Sequence, residues 1–164
     1  MTNTKKKCQI FSTQMQQEGS FRRNMDSINW LQELLEYLRR ENIKTAVASS
    51  TRRELVTREL KEGGLLSYFD EIVCGDMVKR SKPEPDIYLE ACRRLQERSE
   101  DCYAIEDSYN GIRSAKRAGM HPIMVPDQAA PTEEMEELAD CILTSLYEVQ
   151  QYIDKNNKKI EKRC

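Results

Sequence analysis

Residues 102–107 read Cys-Tyr-Ala-Ile-Glu-Asp, and this is the most informative stretch of the chain. Its first four residues form a short, largely apolar run, and the run stops at two carboxylates, Glu106 and Asp107. A helical pattern starts shortly afterwards, at Tyr109. An apolar run that ends in polar residues and leads into a helix is typical of a parallel β–α unit. Ligands bind at the ends of such strands in open α/β sheets, so the pattern predicts a strand that carries acidic residues to a site.

Two other stretches repeat this arrangement. Val-Ala at 47–48 is followed by Ser49 and Ser50, ahead of a helical pattern. The strand-like run 71–74 breaks at Gly-Asp and leads to Lys82, which lies in the sequence Ser-Lys-Pro-Glu-Pro-Asp. Because the carboxyl ends of parallel strands meet at one edge of a sheet, we expect all three stretches to contribute to one site.

Strand and helix patterns alternate along most of the chain. The predicted strands are 45–48, 71–74, 102–105, 122–125 and 141–143, and the predicted helices are 28–40 (capped by Ser27), 51–62, 85–97, 109–118, a short one from 132, and 146–154. This alternation predicts an α/β fold, a Rossmann-like parallel sheet with helices on both faces. We expect three segments, namely an N-terminal remnant (1–27), the α/β core (28–154) and a frayed basic tail (155–164).

The composition limits the class of protein. The chain has 164 residues, of which 38% are hydrophobic and 33% charged, as expected for one domain with a polar surface. The net charge of −2 gives no reason to expect nucleic acid or an anionic membrane as a partner. No apolar run approaches the ~20 residues that span a bilayer. The six cysteines show no Cys-x-x-Cys spacing, so we expect unpaired thiols, no zinc site and a reducing, cytoplasmic location.

Ser49 and Lys82 have the chemistry of a phosphate site. The Ser49 hydroxyl, with the amides of the following helical turn, would form a cradle for a phosphoryl group, and we place Ser50 in the same set. The alternative is that Ser49, Ser50 or Thr51 simply caps the helix. Two neighbouring prolines hold Lys82 on a defined path, where its charge can neutralise a phosphate and a nearby carboxylate. The alternative is an ordinary surface lysine.

Glu106 and Asp107 indicate a cation close by. Two adjacent carboxylates repel each other, so a metal ion or a lysine is expected between them. Mg²⁺ takes oxygen ligands and usually binds one or two carboxylates together with phosphate and water. The alternative is that Asp107 caps the next helix, with Asn110 and Gly111 in a turn. Asp86, in contrast, is expected to cap or support its own helix rather than to bind metal.

In this order and spacing, the three stretches resemble motifs two, three and four of the haloacid dehalogenase (HAD) superfamily, in its β-phosphoglucomutase-like branch. The resemblance covers roughly residues 29–153. It implies a Mg²⁺-dependent phosphatase or phosphomutase that acts on a small phosphorylated metabolite. The roles that it implies are catalysis for Lys82, Ser49 and Glu106, phosphate binding for Ser49, Ser50 and Lys82, and metal binding for Asp107 with Glu106 as a supporting acid.

The first motif of that superfamily is missing. In the family that the chain resembles, an aspartate after an N-terminal strand attacks phosphorus, and a second aspartate two positions later acts as general acid and base. No Asp-x-Asp occurs anywhere in this sequence.

Two interpretations of the first 27 residues stay open. In one, residues 7–14 are a decayed first strand, with Ser12 and Gln14 where the aspartates belong. In the other, residues 5–17 are the last helix of a cap domain, and most of that domain is absent. The second is favoured because the apolar residues at 8, 11 and 15 recur at helical spacing.

Both interpretations remove the nucleophile, and such a loss can reduce turnover on the order of a million-fold. We therefore expect a poor phosphatase or none. The alternatives are a non-catalytic phosphate- or metal-binding protein and a fragment of a longer enzyme. A cap helix would also leave the strands ending at Ser49 and Asp107 without a ladder partner between them, which self-association or direct re-pairing would relieve. The substrate stays open among phosphosugars, phosphoglycolate and nucleotides.

Overall fold

In the residues that the structure describes, the centre of the protein is a six-stranded, all-parallel β-sheet. The structure is a computed structural model and describes residues 6–12, 25–127 and 129–162. The strands are β1 (Cys8–Ser12), β2 (Thr45–Ser49), β3 (Glu71–Cys74), β4 (Cys102–Glu106), β5 (His121–Met124) and β6 (Cys141–Ile142). They lie in the order β3-β2-β1-β4-β5-β6. This order places the carboxyl ends of β1, β2 and β4 side by side, at the switch point where ligands bind in such sheets.

Helices cover both faces of this sheet. Those described are α1 (Met25–Arg40), α2 (Arg53–Glu62), α3 (Asp86–Leu95), α4 (Tyr109–Arg117), α5 (Glu133–Leu138) and α6 (Leu146–Glu161). Because successive side chains of a strand point to opposite faces, Phe11 packs with α1 and α6 while Ile10 packs with α3 and α4. The predicted α/β, Rossmann-like parallel sheet is confirmed. No described helix has the length and apolar character of a membrane span.

β1 corrects the favoured interpretation of the N-terminus. The prediction of a cap helix over residues 5–17 is wrong where the structure describes this segment, because Cys8–Ser12 is a strand. Gln9 pairs with Thr45 of β2 and with Tyr103 of β4. A strand in this slot satisfies backbone groups of both neighbours, whereas an empty slot would leave them unpaired in the core. The need of β2 and β4 for a hydrogen-bonded partner between them therefore outweighs the helical spacing of the apolar residues in this segment.

Two helix boundaries also differ from prediction. α1 already includes Met25, so Ser27 lies inside the helix and not at the position before its first residue, where it was predicted. α6 continues well beyond the predicted end, and the prediction of a frayed tail is wrong over residues 155–161. Asn157 is buried in the core, and Lys158 pairs with Asp154 one turn earlier at 2.6 Å. Packing and this i,i+4 ion pair extend the helix into a segment that looks too polar to order.

A disulfide joins Cys8 of β1 to Cys102 of β4. The two residues are paired in the register of these strands, with Cα atoms 4.5 Å apart. The prediction of unpaired thiols is therefore wrong for this pair. Their sequence separation is 94, and spacing along the chain does not reveal which strands become neighbours. Cys74 and Cys92 are buried free thiols, as predicted.

Candidate functional site

Lys82 connects the carboxyl ends of three adjacent strands. Its Nζ donates hydrogen bonds to Ser12 Oγ of β1 (2.8 Å), to Ala48 O of β2 (3.4 Å) and to Glu106 Oε1 of β4 (2.6 Å). Only 5% of the Lys82 side chain is exposed, so the alternative of an ordinary surface lysine is wrong. The three stretches singled out in the sequence therefore meet at one edge.

The segment that carries Lys82 is anchored to α4. Ser114 Oγ donates to Glu84 O, and the Arg117 guanidinium donates to Pro83 O at 3.3 Å. These tethers add to the stiffness that the prolines give the backbone. Lys82 consequently has little freedom to move away from the strand ends.

Glu106 is a buried carboxylate whose two oxygens are both engaged within the protein. Oε1 accepts hydrogen bonds from Lys82 Nζ and from the Tyr88 hydroxyl. Oε2 accepts from the backbone amide of Ser108 (3.3 Å) and from its hydroxyl (3.0 Å). Burial alone would raise the pKa of the Glu106 carboxyl, but Lys82 and Tyr88 hold it below its ordinary value. Glu106 is therefore ionised, and it fixes the position and charge of Lys82.

The start of α4 is fitted closely around Glu106. Ser108 is the N-cap of this helix, and its Oγ accepts a hydrogen bond from the Gly111 amide at 3.1 Å. The alternative in which Asp107 caps the helix is therefore wrong. A Cβ added to Gly111 would lie 1.9–2.0 Å from the carboxylate atoms of Glu106. Position 111 must be glycine for the carboxylate and the first helical turn to approach this closely.

Asp107 differs from Glu106 because part of its carboxylate has no partner among the described residues. Oδ1 is buried and accepts no hydrogen bond there. Burial, followed by the adjacent Glu106 charge, raises the pKa of Asp107 to about 6. A bound cation would satisfy this oxygen and lower that pKa, so Oδ1 has the properties of a ligand atom.

Ser49 ends β2 and is completely buried. Its Oγ accepts a hydrogen bond from the Thr51 amide (3.2 Å), inside the turn that precedes α2. The N-cap of α2 is Arg52, whose side chain makes no capping bond, so the alternative in which a serine or threonine of this turn caps the helix is wrong. Ser50 is exposed at the same edge. Both serines directly follow the strand end that Lys82 contacts.

Asp86 lies outside this group. It is the first residue of α3, and its carboxylate accepts three hydrogen bonds of 2.7–3.2 Å from the guanidinium of Arg80. These contacts tie the start of α3 to Arg80, and the expectation that Asp86 supports its helix stays a prediction.

The donor set can be tested against Mg²⁺, the ion that the resemblance implies. Asp107 offers a buried oxygen without a partner, but Glu106 offers none, and Ser12 contributes a neutral hydroxyl. Among residues 6–12, 25–127 and 129–162, no three His, Cys, Asp or Glu side chains form a group that could hold a metal ion. Mg²⁺ is commonly bound by one or two carboxylates, with phosphate oxygens and water completing the shell. The residues therefore fit Mg²⁺ through Asp107, provided that a phosphate supplies further ligands.

Sequence reasoning missed Tyr88, Ser108 and Gly111. Tyr88 gives no signal, because a tyrosine on the apolar face of a helix normally belongs to the core. Ser108 could have been found, since a serine just before a helical pattern is a capping signature. The need for Gly111 depends on where the Glu106 side chain points, which a single sequence does not show.

Comparisons relate the chain to known proteins. A family model described as "Haloacid dehalogenase-like hydrolase" matches residues 2–125. The phosphorylated carbohydrates phosphatase of Thermotoga maritima is 40% identical over 93 residues, which are 57% of this chain and 43% of that protein. The phosphoglycolate phosphatase of Nitrosospira multiformis is 32% identical over 128 residues, or 77% of this chain and 56% of that protein.

A solved structure is also similar to this chain in sequence and in fold. A mutant of CbbY from Rhodobacter sphaeroides, crystallised in complex with xylulose-(1,5)-bisphosphate, is 38% identical, with a TM-score of 0.66. The match covers 72% of this chain and 53% of that one. The chain thus spans about half the length of the relatives that it matches.

Proposed function

The chain belongs to the haloacid dehalogenase-like hydrolase family, and we propose that it binds the phosphate group of a small phosphorylated metabolite where β1, β2 and β4 end. The observation that carries the proposal is the Lys82 ammonium, which is buried and bonded to groups from all three strand ends. The relatives support it, because they include phosphatases named for phosphoglycolate and for phosphorylated carbohydrates.

Each residue of the site has a role in this binding. Lys82 provides the positive charge that faces the phosphate oxygens, and Ser12, 2.8 Å away, presents a hydroxyl to the same ligand. Ser49 and Ser50 add polar groups from the turn before α2. Glu106 acts through Lys82 by keeping the ammonium charged and aimed. Asp107 would hold Mg²⁺, which supplies charge neutralisation at the phosphate oxygens when bound.

Hydrolysis by the route of the family is impaired in this proposal, because β1 ends in Ser12 instead of a carboxylate. A serine hydroxyl becomes a useful nucleophile only when a base removes its proton. The nearby carboxylate of Glu106 is a poor base, since its pKa is lowered and its oxygens already accept hydrogen bonds from Lys82, Tyr88 and Ser108. The site is therefore better suited to holding a phosphate ester than to cleaving it.

Ligand-induced stabilisation tests the binding site. Inorganic phosphate, added in the presence of MgCl₂, should raise the Tm of the wild-type protein above its value in MgCl₂ alone, since a ligand that binds the native state stabilises it by mass action. The paired variant Lys82→Met/Glu106→Gln, which leaves no buried charge unpaired, should lose this shift. The control is Arg80→Ala, which removes an exposed cation that pairs with Asp86, and it should keep the shift. A shift that persists in the paired variant would contradict the site.

Enzyme assays test the impairment. Wild-type protein should show no Mg²⁺-dependent hydrolysis of p-nitrophenyl phosphate above background. The variant Ser12→Asp/Gln14→Asp, which restores the missing pair of aspartates, should hydrolyse it measurably; Gln14 itself lies outside the described residues. Wild-type turnover that disappears in Asp107→Asn would show that hydrolysis is intact and that another group serves as nucleophile.

A further inference from the structure

We infer that Mg²⁺ and the phosphate group bind this site as a mutually dependent pair, so that neither binds well until the other is present. The inference rests on the proposed phosphate-binding function and concerns how that site is regulated by its two ligands. It follows from the way in which the strand-end residues are already bonded to one another.

Mg²⁺ alone meets too few ligand atoms. Glu106 is unavailable, because four hydrogen bonds from Lys82, Tyr88 and Ser108 occupy its carboxylate. Ser12 is neutral, and its oxygen accepts a hydrogen bond from the Lys82 ammonium, a positive group that repels a metal ion. The ion is left with Asp107 and water. One carboxylate is a weak site for an ion that gives up its water reluctantly.

Phosphate alone meets an unfavourable charge balance. The charge of Lys82 is already neutralised by Glu106, whose oxygen lies 2.6 Å from Nζ. Asp107 directly follows Glu106 in the chain and brings a second carboxylate to this pair, with Oδ1 buried and without a partner among the described residues. Asp127 adds a further negative charge to the surroundings of Asp107. A phosphate dianion must therefore approach a site whose net charge is negative.

Each ligand creates conditions that favour binding of the other. Phosphate oxygens give the metal ion the ligands that the protein does not provide, and the ion cancels the repulsion between the phosphate and Asp107. The buried Oδ1 of Asp107, which has no partner among the described residues, gains one. By thermodynamic linkage, the factor by which Mg²⁺ tightens phosphate binding must equal the factor by which phosphate tightens Mg²⁺ binding.

The test is a set of four titrations by isothermal titration calorimetry at pH 7.5. Inorganic phosphate is titrated into the full chain with and without MgCl₂, and MgCl₂ is titrated with and without phosphate, with free concentrations corrected for soluble magnesium phosphate. We expect both affinities to rise by the same factor, about 5- to 150-fold, the range typical of coupled sites. Equal Mg²⁺ affinity with and without phosphate would overturn the inference.

Two variants locate the coupling. Asp107→Asn should bring the factor close to one, while phosphate alone binds as tightly as in the wild type or more tightly, because a repelling charge is gone. Ser12→Asp should let Mg²⁺ bind without phosphate and so reduce the factor, because it adds a second carboxylate at the end of β1. A coupling factor in Asp107→Asn as large as in the wild type would contradict the assignment to Asp107. Circular dichroism checks that both variants fold. If Ser12→Asp does not fold, the coupling factor measured for Asp107→Asn is sufficient to test the assignment.

The outcomes separate the two proposals. Phosphate binding with no response to Mg²⁺ would refute the mutual dependence and leave the phosphate site standing. No phosphate binding under either condition would refute the proposed function itself.

Discussion

Replacement of Lys82 by methionine tests the part of the site on which most of the reasoning depends. Methionine fills a similar volume, so the change removes the charge while creating little empty space. The Glu106 side chain is fully buried, and that of Lys82 is 5% exposed. Removing one partner of a buried ion pair leaves an uncompensated charge and typically costs about 3–5 kcal/mol. We expect Lys82→Met to lower the free energy of unfolding by about that amount at pH 7.5, a large share of the stability of a small domain.

The same variant should respond to pH in a defined direction. Without Lys82, burial raises the pKa of Glu106 above its value in the unfolded chain, so the native state favours the protonated form. A group with a raised native pKa stabilises the fold at low pH, and this contribution is lost as the pH rises through the native pKa. The difference in the free energy of unfolding between wild type and Lys82→Met should therefore become smaller as the pH is lowered from 7.5 to 5. Urea unfolding followed by far-UV circular dichroism measures it at both values.

Removal of both charges provides the comparison. The double variant Lys82→Met/Glu106→Gln should recover much of the loss, because no buried charge is left unpaired. Arg80→Met is the matched control at the surface. The Arg80 side chain is 62% exposed, and exposed ion pairs typically contribute about 0–1 kcal/mol. A loss below about 1 kcal/mol for Lys82→Met, or a deficit independent of pH, would refute the view that Glu106 is a buried carboxylate held by Lys82.

Three other changes have defined outcomes. Gly111→Ala should lower stability by at least about 1–3 kcal/mol, as overpacking does, because its Cβ would collide with the carboxylate of Glu106; urea unfolding measures this loss. Reduction of the Cys8–Cys102 disulfide should lower the unfolding free energy by up to about 4–5 kcal/mol in the chain-entropy model, and peptide mapping without reductant should recover the linked pair. Asp107→Asn should stabilise the protein at pH 8 and progressively less as the pH falls towards 4, because the raised pKa of Asp107 makes its ionisation unfavourable in the native state.

Each of these changes has a matched control. Gly64→Ala, at a positive φ of 69° but with open space around the new Cβ, should cost less than Gly111→Ala, and an equal cost would argue against the clash. The loss of unfolding free energy caused by reductant should persist in Cys92→Ser, which removes a buried free thiol. It should be absent in the double variant Cys8→Ser/Cys102→Ser, which has no disulfide to reduce. Asp86→Asn should lower the stability at pH 8, the opposite of the effect of Asp107→Asn. The reason is that Arg80 lowers the pKa of Asp86, so that ionisation of this carboxyl stabilises the fold. The same sign for both aspartate variants would refute the electrostatic reasoning.

The sequence was sufficient for most of the sheet because each strand has a local signature. The apolar run ending at Glu106 is confirmed as β4, and the break after Cys74 is confirmed as the end of β3. β1 was harder to predict because it has five residues, and the same apolar positions suit a short helix. What decides its conformation is the need of two distant strands for a partner, and that need arises only when the sheet assembles.

The location of the candidate site was predictable from the sequence, but the different roles of its two acidic residues were not. Strand ends alone bring Lys82, Ser49 and the acidic pair to one edge. Which of the two acids is already paired depends on Tyr88 of α3 and on Ser108, the N-cap of α4, and a sequence does not show where these side chains point. The difference between a fully bonded Glu106 and a partly bonded Asp107 is therefore a product of packing.

The central position of β1 has a consequence for how the protein is made. This strand is synthesised before both of its neighbours, and the residue opposite Cys8 on β4 follows 94 positions later in the chain. At a synthesis rate of about 5–20 residues per second, the nascent strand waits roughly 5–20 s for its second neighbour. During that interval its hydrogen-bonding edge is available to other chains, so crowding of nascent chains should reduce the yield of correctly assembled protein more than crowding after release.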